Sequence, residues 1–151
     1  NKMKYILAID IGGTTFNTGL FSESLDQVEI SGKDKIRHYN GRAEVVSAII
    51  NQVNEIIETN NINKENIIGI GIASPGPLDS KRGIILNTPN LEIFQNYNIT
   101  NDFFKRPSQT TRIVKSSEPE KRTHVPLHRE AAAVGARARG AACTLCAGTG
   151  A

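Results

Sequence analysis

The residues of this chain with the clearest capacity for chemistry follow its first apolar segment. Residues 5–9 form a continuous apolar run, and a carboxylate, two glycines and two threonines come directly after it. A carboxylate at a strand end can hold Mg²⁺, and consecutive N–H groups of a glycine turn bind anions. The segment predicts a phosphate loop, although an ordinary hairpin capped by the carboxylate is the alternative. The candidate nucleotide-binding residues are Asp10, Gly12, Gly13, Thr14 and Thr15, with Asp10 also the candidate magnesium contact through the nucleotide.

Two further loops could bind a polar ligand. Ser74-Pro75-Gly76-Pro77 follows a stretch of alternating isoleucine and small residues, and ligands in open α/β sheets bind at such strand ends. This loop is predicted to present Ser74 and backbone groups to a ligand, unless it is a simple connection between strands. Asn87 and Asn90 flank Pro89 in the next loop. Their amides suit sugar hydroxyls, although asparagine near proline also favours a plain turn.

Spacing excludes two common nucleotide-binding motifs. No Gly-x-x-x-x-Gly-Lys-Ser/Thr segment occurs, so the chain has no P-loop. Gly69, Gly71 and Gly76 lack the Gly-x-Gly-x-x-Gly spacing, and the prolines on either side of Gly76 oppose a helix start there. The chain therefore does not favour dinucleotide binding.

A set of strands and one helix must position these loops. Strands over 5–9, 15–21 and 27–36 predict an antiparallel meander, with Gly12-Gly13 as a two-residue hairpin of the type that tolerates positive φ. A helix is predicted from Asn40-Gly41 to Asn60-Asn61 and a parallel strand over 67–73, joined by a right-handed crossover. The expected faces of that strand are Ile68, Ile70 and Ile72 on one side and Gly69, Gly71 and Ala73 on the other. A short strand over 83–86 and helices over 98–105 and 130–142 complete the prediction.

The composition changes near residue 105. All fourteen asparagines and eighteen of the nineteen isoleucines precede it, and nine of the last twenty-one residues are alanine. Lys and Arg number nine against twelve Asp and Glu over 1–104, but nine against three over 105–151. The basic charge thus belongs to the tail and does not favour nucleic-acid binding. We expect one domain over 1–104 and a tail over 105–151, linker-like at 107–121, that is either a degraded continuation or an unreliable sequence.

The bulk composition is typical of a cytoplasmic globular protein. The 151 residues can bury one core without disulfides. No apolar stretch approaches the ~20 residues of a membrane helix, and no signal-peptide pattern opens the chain. Cys143 and Cys146 form a single Cys-x-x-Cys pair. A structural zinc needs four ligands, and the nearby His124 and His128 flank Pro126, so we expect no zinc site.

In combination, three segments resemble the N-terminal half of the ROK family. They are residues 9–14, 69–79 and 83–91, and their order and spacing match over about residues 4–104. The family comprises bacterial sugar kinases, related repressors and uncharacterised open reading frames. The resemblance implies an α/β fold, the N-terminal lobe of an actin-like ATPase (ribonuclease H-like). Its mixed sheet would have an antiparallel three-strand meander followed by a parallel strand-helix-strand crossover.

The resemblance also implies roles for individual residues. Residues 10–14 would face Mg²⁺–ATP as the first phosphate loop, while Ser74-Pro75-Gly76 and Asn90 would line a sugar pocket. The sugar hydroxyl would attack the γ-phosphoryl group in line, with a base taking its proton. The structural zinc of the family is not expected in this chain, and a homodimer remains open.

The tail departs from the family pattern. Members carry Asn-Asp-Ala-Asn before a small-residue helix, and that aspartate is the catalytic base. Counting back from Ala131-Ala132-Ala133 places Leu127 and His128 where Asn and Asp should be. The catalytic residue is therefore unknown, with His128 at the aligned position. Gly148-Thr149-Gly150 resembles the second phosphate loop, several residues too close to His128.

The resemblance favours the N-terminal part of an ATP-dependent sugar kinase. It would phosphorylate a hexose or N-acylated hexosamine, and we expect the isolated chain to be inactive because half of each pocket is absent. A sugar-responsive transcriptional regulator is an alternative. Such proteins place a helix-turn-helix before the phosphate loop, and only four residues precede the first strand here. A non-catalytic sugar-binding or interaction lobe is the third hypothesis.

Overall fold

The computed structural model describes residues 3–79, 81–89, 91–99, 101, 110–115 and 141–148, the last two segments as backbone alone. Its larger sheet begins with an antiparallel meander of β1 (Tyr5–Ile11), β2 (Thr15–Ser22) and β3 (Gln27–Ile30). β5 (Ile67–Pro75), β10 (Ala141–Gly148) and β9 (Thr110–Lys115) then run parallel to β1, in the order β3-β2-β1-β5-β10-β9. This arrangement confirms the predicted α/β fold of an actin-like N-terminal lobe.

The third strand is shorter than predicted. Instead of continuing to residue 36, the chain leaves β3 at Ile30 and returns to β2 as β4 (Asp34–Lys35). Ser31 causes the interruption, because its hydroxyl accepts the Thr18 N–H at 2.9 Å, where a strand would offer a carbonyl. The Ser31 hydroxyl also donates to the side-chain oxygen of Gln52 at 3.1 Å, which ties this corner to the helix.

The helix α1 (Arg42–Thr59) forms where the sequence predicts it and covers one face of the larger sheet. Gly41 precedes it with a φ of 89°, a conformation that suits glycine. The buried side of α1 packs on isoleucines, leucines and Phe16 of the sheet in one continuous core. The buried residues of α1 are Val45, Val46, Ile49, Ile56 and Ile57.

The alternation predicted for β5 is wrong at its start. Ile70 and Ile72 face α1, but Ile68 packs on the opposite face with Ile6 and Ala73. The pairing with β1 shifts between Tyr5 and Ile6, so one extra residue of β5 is accommodated there. Such a bulge reverses the parity of every residue before it, which explains why Ile68 changes face.

A smaller sheet packs beside the larger one. It contains β6 (Leu78–Asp79), β7 (Ile84–Ile85) and β8 (Tyr97–Asn98) in antiparallel order. A 3-10 helix over Glu92–Phe94 precedes β8. Ile85, Phe94 and Ile99 join the core beneath α1, so both sheets share one apolar interior.

Three predictions near the tail are wrong where the structure describes the chain. Tyr97–Asn98 is strand β8, so the helix predicted over 98–105 does not begin there, although Asn101 is helical. Residues 110–115 form β9 within the predicted linker, consistent with the β-forming Thr, Ile and Val of this segment. Residues 141 and 142 open β10, so a helix from 130 does not reach them.

In the described part of the chain, no helix is long and apolar enough to cross a membrane.

Candidate functional site

Two of the predicted loops lie at one edge of the larger sheet. Asp10 of β1 is level with Ala73 of the parallel strand β5. The turn that follows β1 and the Ser74-Pro75-Gly76 segment at the end of β5 therefore lie side by side at this edge. The backbone of β10 ends at the same edge, with Gly148 opposite Pro75. Three carboxyl ends of parallel strands thus lie along one edge, the usual ligand position in open α/β sheets.

The turn between β1 and β2 differs from the predicted hairpin in two respects. Gly12 does not have a positive φ, and its N–H donates to the Thr15 carbonyl oxygen at 2.8 Å. That N–H is therefore unavailable to an anion. The Gly13 and Thr14 amides are exposed and donate to no protein acceptor among the described residues. Two free N–H groups remain at the tip of the turn.

Asp10 carries a carboxylate without a hydrogen-bond partner in the described part of the protein. It follows Ile6 and Ala8 on the sheet face opposite α1 and is partly buried. Burial raises the pKa of this carboxyl from 3.8 to about 6, and the positive charge of Lys33 opposes part of that rise. A desolvated, unpartnered carboxylate beside free N–H groups fits a site for Mg²⁺ bound to a phosphate.

Asn17 is a site candidate that the sequence did not reveal. It lies directly opposite Asp10 across β1 and β2, so the two side chains share a face. Only 5% of Asn17 is exposed, and its side chain makes no hydrogen bond among the residues described. A buried amide without a hydrogen-bond partner lowers the stability of the fold. Asn17 is therefore a candidate for contact with a ligand. No motif identifies it, because only the strand register brings it beside Asp10.

Ser74 and Pro75 are the last residues of β5, so the strand continues two residues beyond its predicted end at Ala73. Ser74 is 1% exposed, and its hydroxyl donates to the Pro75 carbonyl oxygen at 3.2 Å. Pro77 accepts the Leu86 N–H at 3.0 Å, which holds this segment against the loop that begins at Asn87. Gly76 is partly buried, and the Gly76–Pro77 peptide bond is cis. The two loops predicted to line a sugar pocket are thus joined at their bases.

The remaining predicted site residues lie outside the described residues. These are Asn90, His128 and the Thr149-Gly150 part of the second glycine segment. Cys143 and Cys146 belong to β10, of which the backbone alone is described. Among the described residues, no three His, Cys, Asp or Glu side chains cluster in a way that could hold a metal ion.

Replacing Gly12 with alanine should separate the stability of this turn from its anion binding. An added Cβ would lie 3.4 Å from the Thr15 carbonyl oxygen, an ordinary contact, and the backbone needs no glycine-specific φ. We expect the free energy of unfolding to change by less than about 1 kcal/mol, while the methyl group crowds a phosphate at the tip. Urea denaturation and Mg²⁺–ATP titration would measure the two effects. A loss above about 2 kcal/mol would show that the turn itself requires glycine.

Comparison with known proteins identifies the family of this fold. The profile described as the ROK family matches residues 6–116. The glucokinase of Thermotoga maritima is 31% identical over 105 residues, which are 70% of this chain and 31% of that enzyme. The chain therefore spans less than a third of the length of this curated relative.

Solved structures with the same fold include both enzymes and regulators. A ROK family glucokinase from Streptomyces griseus, in complex with glucose and AMPPNP, superposes with a TM-score of 0.53 at 22% identity, covering 67% of this chain and 29% of that one. A ROK family transcriptional regulator, a homologue of the E. coli MLC protein, superposes with a TM-score of 0.54 at 19% identity. That superposition covers 65% of this chain and 24% of the regulator. The family profile spans most of the chain, and the meander, helix and loop order agree with it: this chain belongs to the ROK family.

Proposed function

We propose that this chain is the N-terminal lobe of an ATP-dependent sugar kinase of the ROK type. It would take part in transfer of the γ-phosphoryl group of ATP to a hydroxyl of a hexose or N-acylated hexosamine. The observation that carries the proposal is the Asp10 carboxylate, which is desolvated and has no hydrogen-bond partner among the described residues, at the end of the strand that leads into the free amides of Gly13 and Thr14. A purely structural hairpin has no need of a charge that costs stability at this position.

The described residues would contribute in two ways, by neutralising charge on the phosphates and by positioning them. Asp10 would hold Mg²⁺ directly or through water, and the ion would neutralise charge on the phosphates. The Gly13 and Thr14 N–H groups, with the hydroxyls of Thr14 and Thr15, would donate to phosphate oxygens. Phosphoryl transfer depends mainly on such positioning and charge stabilisation.

The sugar side of the proposal rests on the segment at the end of β5 and on the loop after β7 (Ile84–Ile85). Ser74-Pro75-Gly76 would contact the sugar through backbone groups, since the Ser74 hydroxyl already donates to Pro75. Asn90 is proposed as a further sugar contact. The named relative is a glucokinase, which supports a hexose as the acceptor. Because the chain spans 31% of that enzyme, complete turnover is proposed for a protein of the relative's length.

A regulator remains the second candidate, because the same lobe occurs in a ROK transcriptional regulator. The two functions differ in what they require of Asp10. A kinase needs this carboxylate for its metal-bound nucleotide, whereas a sugar-responsive regulator needs the sugar loops alone. Nucleotide binding through Asp10 therefore favours the kinase.

Titration of the 151-residue chain with Mg²⁺–ATP, followed by the amide NMR signals of Gly13 and Thr14, tests the proposal. We expect these signals to shift and Asp10→Asn to weaken the affinity by about tenfold or more, since an ion-dipole contact replaces an ion pair. Glu65→Gln is the matched control, because Glu65 is exposed and precedes β5 at the opposite edge of the sheet. Equal affinity in both variants would count against a kinase.

The isolated chain also permits an activity test. In an ATP-dependent phosphorylation assay with a panel of hexoses and N-acylated hexosamines, we expect no turnover above background. The reason is that the chain spans 31% of the related glucokinase, so that much of each proposed pocket would be supplied by the rest of a protein of that length. Robust turnover by this chain would contradict the assignment of an incomplete lobe.

A further inference from the structure

The sheet face opposite α1 carries a row of polar side chains beside the phosphate loop. Asp10 and Asn17 face each other across β1 and β2, and Thr15 is two residues before Asn17 on the same strand. Lys35 of β4 is opposite Thr15. Since opposite residues share a face and alternate residues along a strand do too, all four side chains lie on this face. Strand register, rather than sequence proximity, assembles the row.

A cavity of about 350 Å³ lies at the loop end of this row. Gly13, Thr14 and Thr15 form one wall, and Lys35, Ile36 and Arg37 form the other. The Ile36 N–H donates to the Thr14 carbonyl oxygen at 2.9 Å, so the two walls are fixed to each other. The free amides of the phosphate loop and two cationic side chains therefore border the same space.

No ion pair among the described residues neutralises the positive charge at this cavity. Among the described residues, Lys35 and Arg37 form no salt bridge, and both are exposed. Asp34 directly precedes Lys35 in sequence but lines a second cavity, which runs along α1. Its carboxylate accepts the Tyr39 hydroxyl and lies 3.1 Å from Nδ1 of His38. The nearest acidic group in sequence is thus occupied elsewhere.

A second observation points to a ligand on this face. Asn17 is 5% exposed and has no hydrogen-bond partner among the residues described. Its amide could donate to a phosphate oxygen or accept from a water molecule of a hydrated cation. An amide that is buried without a protein partner, level with the Asp10 carboxylate, is explained by a polar group that arrives with the ligand.

We propose that Asn17, Lys35 and Arg37 form an anion subsite that extends the phosphate loop and receives the terminal phosphates of a bound polyphosphate. This inference rests on the proposed kinase function only for the identity of the ligand as a nucleotide. The subsite itself requires a chain of phosphates, whether from a nucleoside triphosphate or an inorganic polyphosphate. Lys35 and Arg37 bind the phosphate oxygens, and Asn17 holds the end nearest Asp10.

The test is NMR titration of the 151-residue chain with inorganic tripolyphosphate, Mg²⁺–ATP and a hexose 6-phosphate in separate experiments. We expect tripolyphosphate and ATP to shift the amide signals of Thr15 and Ile36, and the monophosphate to bind more weakly. The double variant Lys35→Gln/Arg37→Gln should lose about tenfold or more in tripolyphosphate affinity. Lys4→Gln/Lys64→Gln removes the same charge at the opposite edge of the sheet and should lose less than about twofold.

Asn17→Leu provides a second variant that keeps the fold. Leucine has a similar volume and needs no partner, so this variant should unfold at a higher urea concentration than the natural chain while its tripolyphosphate affinity falls. A structural role for the amide predicts the opposite change in stability. If Asn17→Leu leaves the affinity for tripolyphosphate unchanged, Asn17 is not part of the subsite.

The outcomes separate this subsite from the kinase assignment. Equal loss of affinity in both double variants, or no tripolyphosphate binding by the natural chain, would overturn the subsite. If ATP binding depends on Asp10 but not on Lys35 and Arg37, the result supports the kinase proposal and contradicts the subsite proposal. If Lys35→Gln/Arg37→Gln lowers the affinity for tripolyphosphate while Asp10→Asn leaves the affinity for ATP unchanged, the result supports the subsite proposal and contradicts the kinase proposal.

Discussion

Replacing Asp10 with asparagine is expected to raise the free energy of unfolding by about 3 kcal/mol at pH 7.5. The physical reason is that folding transfers this carboxylate into a partly buried position where no described residue donates a hydrogen bond to it. Burial raises its pKa from 3.8 to about 6, so the charged form is disfavoured in the folded protein. Asparagine has nearly the same shape and carries no charge to desolvate.

The gain from Asp10→Asn should depend on pH in a defined window. Between about pH 3.8 and pH 6 the folded protein keeps a proton on Asp10 that the unfolded chain has lost. The free energy of unfolding of the natural chain therefore falls as the pH rises through this window. The asparagine variant has no such proton, so the difference between the two proteins is small below pH 3.8 and reaches its full size above pH 6.

Urea denaturation of both proteins at pH 3.5, 5 and 7.5 would measure this difference. The pKa values of Asp34 and Asp79 are lowered by hydrogen bonds from Tyr39 and from the Arg82 backbone, respectively. Their effects are common to both proteins and cancel in the comparison. Glu65→Gln is again the control and should show no such pH-dependent gain. A variant that is less stable than the natural chain at pH 7.5 would mean that the carboxylate serves the fold.

The sequence was sufficient to predict the order of the main elements as far as β5, and the edge at which the loops meet. The run at residues 5–9 has apolar side chains on both faces, as a strand covered on both sides requires. The helix α1 is evident from its stripe of apolar residues and ends at Thr59, directly before Asn60. Because a parallel strand after a helix returns to the same edge, Asp10 and Ser74 had to emerge together, and β1 and β5 place them so.

Three features that the sequence missed depend on contacts between distant residues. Ser31 interrupts the third strand only because Thr18 of β2 offers its N–H to the Ser31 hydroxyl. Ile68 changes face because the ladder to β1 slips by one residue. Asn17 becomes a site candidate only through its register with Asp10. A window of neighbouring residues contains none of this information, since each effect is set by the pairing of strands.

The largest loss of stability is expected from Phe94→Ala. Phe94 is fully buried and lies in the 3-10 helix that leads into β8, yet it belongs to the core under α1. Its ring centroid is 5.8 Å from that of Tyr97, and the Arg42 guanidinium carbon is 4.1 Å from the Tyr97 ring centroid. Truncation should cost about 3–5 kcal/mol, because a large cavity would open between the smaller sheet and the helix.

Phe94→Ala also tests whether the sugar loops depend on this shared core. If both sheets unfold as one unit, urea denaturation should show a single transition at a lower midpoint, and exchange of the Leu86 amide, which donates to Pro77, should accelerate with it. Val28→Ala is the matched control, because Val28 is 41% exposed on β3 and should change stability by less than about 0.5 kcal/mol. A cost below about 1 kcal/mol for Phe94→Ala, or exchange at Leu86 without loss of global stability, would show that the smaller sheet opens independently. The loops that follow β5 and β7 would then be ordered by the ligand rather than by the core.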